Sequence, residues 1–209
     1  MKLAILCLGL GALPCLAGQP KTHLAPVTLY TRFEQDPPDA VLEALQDELK
    51  SIMAPMGMTF DWRPLNGNRG EVSIELAVVT FRGRCDAAEL SPRYAAVGAL
   101  GWTHVSNGTI LPFAEVDCAR IRTFLGRGLL AITPAERDDA LGRAIARVMA
   151  HELYHILAGT SNHGAWGVGK SAYTVQDLLS YEFRFEEQES RALRTSKAHV
   201  ALESDGAFQ

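Results

Sequence analysis

Near the end of one long helix pattern stands the run His151-Glu152-Leu153-Tyr154-His155, and it limits what this chain can become. Thr133-Pro134-Ala135-Glu136 reads as a helix start, with Thr133 as N-cap, Pro134 at the first helical position and Glu136 closing a capping box. Residues from Ala140 to Ala158 are nearly all helix formers, and Gly159 supplies a stop. The stretch from Ala144 to Ala150 is apolar almost all round, the mark of a buried helix. Helical spacing puts His151 and His155 one turn apart on one face. Two imidazoles stacked in that way can bind one zinc ion, and Glu152 stands where a general base for water is needed. The plainer alternative is a core helix whose His and Glu pair with one another or with backbone groups. Several buried polar groups without a metal would be costly.

A zinc site open to water needs a third protein ligand. Gly159 lets the chain turn sharply, and Gly159-Thr160-Ser161-Asn162-His163 can bring His163 back toward the metal. His163 is the expected third ligand. The rival is a downstream carboxylate, Asp177, Glu182, Glu186 or Glu187, with Glu182 the best placed between Tyr181 and Phe183. A simple loop histidine is the remaining alternative.

These residues resemble the zincin metallopeptidases, and the third His after a Gly resembles the metzincin branch. Two features depart from the branch's pattern H-E-x-x-H-x-x-G-x-x-H. Gly159 falls one residue late and His163 two residues late, and no Met follows Met149. Trp166-Gly167-Val168-Gly169 stands where the family's methionine turn would lie, with Val168 in the place of the Met. The resemblance implies a zinc peptidase, more an endopeptidase than an exopeptidase, acting on peptide or protein. It also implies a sheet edge along the cleft that pairs with extended substrate, and the hairpin from Ala96 to Val116 is the candidate.

The chemistry expected of the residues themselves is metal-assisted hydrolysis. Zn2+ held by His151, His155 and His163 would activate water, with Glu152 as catalytic general base. Two other classes remain open. One is a non-catalytic zinc domain whose site is closed by a fourth protein ligand such as Asp177 or Glu182. The other is a zinc amidase acting on cell-wall peptide.

The remainder of the chain describes the setting. Met1-Lys2, the apolar run Leu3 to Leu13 and the small residues ending at Ala17 read as a secretory signal peptide over residues 1–17. The run is too short to span a bilayer, so no stable membrane insertion is expected after cleavage. The expected compartment is periplasmic or extracellular. There Cys85 and Cys118 would pair as a disulfide, contributing about 3–4 kcal/mol in the chain-entropy model. A net charge of −4 without a Lys/Arg cluster argues against nucleic acid as a partner.

Hydrophobic patterning gives strands over Pro26–Phe33, Met58–Arg63, Val72–Phe81, Ala95–Val105 and Thr109–Val116. Ser106-Asn107-Gly108 is the turn that joins the last two as a hairpin. A helix is expected over Asp39–Met53, a short one after Asp117, and a mainly helical stretch over Thr174–Leu193. The expected fold is α+β: a mixed, mostly antiparallel sheet packed on the long zinc-binding helix, zincin-like, over residues 18–196, with a flexible tail over 197–209. Tyr154 is expected to be a packed core ring, and His104 to face solvent. Tyr173 or Tyr181 could donate to an oxyanion, although core or surface placement serves each as well. His23 and His199 are placed in flexible ends.

Overall fold

The computed structural model describes residues 24–67, 73–92 and 98–206. The expected signal peptide, His23 and the starts of the strands expected from Val72 and from Ala95 lie outside the described residues.

Among the described residues five strands form one sheet: β1 (Val27–Phe33), β2 (Phe60–Pro64), β3 (Leu76–Arg82), β4 (Gly101–Ser106) and β5 (Thr109–Asp117). Their spatial order is β2-β1-β3-β5-β4. Among the described residues six helices accompany them: α1 (Asp39–Met53), α2 (Cys118–Leu130), α3 (Arg137–Ala158), α4 (Val175–Leu179), α5 (Glu187–Arg194) and α6 (Lys197–Gly206).

The strands alternate as a half-buried sheet should. Val27 and Leu29 of β1, Ala77, Val79 and Phe81 of β3, and Ala114 and Val116 of β5 are all buried. They share one core with Val41, Leu45 and Leu49 of α1 and with Leu141, Ile145, Val148 and Met149 of α3. Sheet and helices thus make the expected α+β arrangement, with α3 running through the core.

The sheet is mixed, but the balance of strand directions reverses the expectation. β1 runs parallel to β2 and to β3, and β3 runs parallel to β5. The antiparallel pair is the hairpin of β4 and β5. The reason lies in the connections. A two-residue turn forces its strands antiparallel, whereas α1 between β1 and β2 carries the chain back so that both strands run the same way. Asn107 and Gly108 take positive φ of 50° and 77°, as a tight hairpin turn requires.

Two further expectations are corrected. The start of α3 is a single 3-10 turn, Pro134–Glu136, and Thr133 does not cap it through a backbone N–H. Its hydroxyl instead donates to the Glu136 carboxylate at 2.7 Å. Residues 197–206 are not a loose tail but helix α6, with Ala198 and Leu202 buried. The Leu202 carbonyl accepts the Ala25 N–H at 3.0 Å, which joins α6 to the approach of β1. His199 is likewise packed, with its Nε2 3.2 Å from the Met56 carbonyl oxygen.

Cys85 and Cys118 form a disulfide across a sequence separation of 33, tying the loop after β3 to the first turn of α2. No described helix is long and apolar enough to cross a membrane.

Candidate metal centre

His151, Glu152 and His155 lie in the last two turns of α3, all buried. The helix ends at Gly159, whose φ of +61° is the left-handed conformation expected of a C-terminal stop. The reversal brings His163, which is exposed, over the two buried rings. Its ring centroid lies 5.2 Å from that of His151 and 4.8 Å from that of His155. One nitrogen from each of the three imidazoles lies within 4.8 Å of the others.

Backbone carbonyls set the orientation of the two helical rings. His151 Nδ1 is 2.8 Å from the Val168 oxygen, and His155 Nδ1 is 2.7 Å from the Thr160 oxygen. A carbonyl only accepts, so each Nδ1 carries the proton and each Nε2 carries a lone pair. The two Nε2 atoms are 3.0 Å apart. Two lone pairs face each other there, with no hydrogen left to bridge them. A cation between them removes the repulsion, and tetrahedral zinc with bonds of about 2.0–2.1 Å would set two nitrogens ~3.3 Å apart. The donor set therefore fits zinc.

Electrostatics agree. Burial lowers the His151 pKa to about 4, against the opposing pull of the Val168 carbonyl. Burial also lowers that of His155. Both rings are neutral at physiological pH, the form a metal requires. Burial raises the Glu152 carboxyl to about 7, opposed by a hydrogen bond from Thr103. Thr103 Oγ1 donates to Glu152 Oε2 at 2.7 Å.

The expected rivals for third ligand are engaged or distant. Asp177 accepts from Lys170 Nζ at 2.6 Å and from the Thr174 N–H at 2.8 Å, where it completes the capping box of α4. Glu182, Glu186 and Glu187 do not join the three-His group among the described residues. Tyr173 is half-buried with its hydroxyl on the Val168 carbonyl, and its ring centroid lies 5.8 Å from that of His151. Tyr181 is 93% exposed and lines no part of the cavity. Tyr154 is the expected core ring, against Phe185. His104 is exposed and 3.2 Å from Glu115.

A cavity of about 640 Å³ opens beside the three imidazoles and Glu152. Its apolar lining comes from Leu100, Trp102, Val105 and Ile110 of the hairpin and from Phe124 and Val148. Strand β4 is the sheet edge along this cavity, as expected of the hairpin. Sequence reasoning did not single out three contributors: Gly101, Thr103 and the Val168 carbonyl. A glycine within a strand pattern was the available signal for the first, since it marks a close approach.

No family model matches the chain, and no curated protein matches it. Solved structures that match include archaemetzincin from Methanopyrus kandleri, at 12% identity, covering 91% of this chain and 99% of that one with a TM-score of 0.44.

Proposed function

We propose that this chain is an exported zinc-dependent metallopeptidase with His151, His155 and His163 as metal ligands and Glu152 as general base. The observation that carries the reading is the pair of Nε2 lone pairs held 3.0 Å apart, with a third imidazole above them and a carboxylate alongside. When bound, zinc supplies a water of lowered pKa and a Lewis acid for the substrate carbonyl. The chain's own residues do the rest. The Val168 and Thr160 carbonyls fix the tautomers and aim the rings. Glu152, adjacent to His151 and opening on the cavity, takes the proton from the attacking water and returns it to the leaving amine.

Three protein ligands leave a fourth position for water, which distinguishes a catalytic site from a closed structural one. With Asp177 committed to Lys170 and Thr174, no fourth protein ligand stands in the described group. The exposed edge of β4 beside the cavity favours an extended peptide passing through, hence an endopeptidase. Export is supported by the disulfide, which belongs to an oxidising compartment, and by the signal-like pattern of residues 1–17.

Zinc content per chain, measured by mass spectrometry, tests the centre. We expect one zinc in the wild type, a sharp loss in His163→Ala, and retention in Glu152→Ala with hydrolysis of casein reduced at least 10²-fold. Absence of zinc after reconstitution would reject the reading. Retained zinc in His163→Ala would move the third ligand elsewhere.

A further inference from the structure

The carboxylate of Glu152 is held by the edge strand rather than by its own helix. Gly101 and Thr103 stand two apart on β4 and so face the same side. At Gly101 a Cβ would stand 2.9 Å from Glu152 Oε1 and 2.9 Å from Val148 Cγ1, so the missing side chain is the space the carboxylate occupies. At Thr103 the hydroxyl donates to Oε2 at 2.7 Å, with the Glu152 backbone oxygen 3.2 Å away as a second, longer acceptor. One strand position admits the carboxylate and the other fastens it.

We infer that Thr103 is a positioning residue for the general base, orienting Glu152 from the strand on which substrate would lie. The inference rests on the peptidase reading above. The terminal torsion of a glutamate is broad and does not hold the carboxylate in one orientation. Glu152 is only 5% exposed, so bulk water does not supply the missing donor. The Thr103 hydroxyl selects one orientation, satisfies one oxygen and leaves the other to receive a proton. Its effect passes entirely through Glu152.

Thr103→Val keeps the shape and removes the donor, whereas Thr103→Ser keeps the donor and removes a methyl. In the zinc-loaded protein we expect Thr103→Val to lower kcat about tenfold with KM and zinc content unchanged, and Thr103→Ser to stay within about twofold of wild type. Thermal unfolding of the metal-free protein gives a readout independent of activity. Thr103→Val should lower the midpoint by about 2–4 °C, and by less than half as much in a Glu152→Ala background, where only the longer bond to the backbone oxygen remains. Should Thr103→Val fail to fold, Thr103→Ala carries the same comparisons. An unchanged kcat, a serine variant as impaired as the valine one, or an equal midpoint shift in both backgrounds would each overturn the inference. A wild type that binds zinc and hydrolyses nothing would instead overturn the peptidase reading, and the positioning role with it. The unfolding cycle would still report on the contact.

Discussion

Glu152 shows how one side chain can be set against the stability of its own fold. Its pKa of about 7 in the folded chain lies above the usual carboxyl value, because burial disfavours the charged form. Between the unfolded value and about 7 the folded state therefore binds more protons than the unfolded state. Stability falls as pH rises through that window. A neutral isostere escapes the penalty, and glutamine still offers an oxygen to Thr103. We expect Glu152→Gln to stabilise the metal-free protein by roughly 3 kcal/mol at pH 8 and by almost nothing at pH 4, from about 1.4 kcal/mol per pKa unit. Urea unfolding at the two pH values checks this, and an equal effect at both would show that Glu152 titrates normally. The same substitution should abolish hydrolysis, a trade of stability for chemistry that active sites commonly show.

At the scale of the element, helix α3 owes its placement to a residue the apolar pattern concealed. Arg147 stands one turn before His151 and is fully buried. Its Nε donates to Glu48 of α1 at 2.7 Å, and its Nη1 donates to the carbonyls of Asp177 and Leu178 at 3.0 and 3.1 Å. Its guanidinium also lies over the Phe183 ring, 5.4 Å from the centroid. One side chain thereby joins α1, α3 and the end of α4. Removing it would leave the Glu48 charge and the Leu178 carbonyl without this partner, whereas the Asp177 carbonyl keeps the Ser180 hydroxyl as a donor at 3.0 Å. We expect Arg147→Ala to destabilise the fold by about 3–5 kcal/mol in urea unfolding, and Arg147→Met combined with Glu48→Leu to recover much of that loss. A double variant no better than Arg147→Ala would mean that the hydrogen bonds to the Asp177 and Leu178 carbonyls, not the unpaired Glu48 charge, govern the position.

The whole molecule closes through its last helix. Leu202 is fully buried, and its carbonyl holds the Ala25 N–H just before β1. This contact spans nearly the full described chain, which is why no local pattern announced it. Residues from Lys197 onward are polar on average, and a short polar helix is marginal by itself. Packing against α3, the turn at Met56 and the entry to β1 makes it form. We expect Leu202→Ala to destabilise the protein by about 2–5 kcal/mol, measured by chemical unfolding. No change would return residues 197–206 to the status of a loose tail.

Much of the site was legible because its chemistry is local. His151, Glu152 and His155 share one helix, and a helix fixes the relation of residues three and four apart. Gly159 and the hairpin turn at Asn107-Gly108 were equally readable, since backbone of positive φ selects its residues. His163 could be named from its place after Gly159, although its position over the two buried rings depends on how the loop returns. Strand direction, the helical end, the Arg147 network and the Thr103 clamp were not readable. Each joins residues distant along the chain, and which groups meet there depends on packing after the chain has closed. The amino-acid order by itself determined the ligand-bearing helix, its stop and the hairpin. Only the tertiary structure decided that β4 borders the cavity and that a threonine on it holds the carboxylate, because such contacts arise between elements and leave no periodic trace within either one.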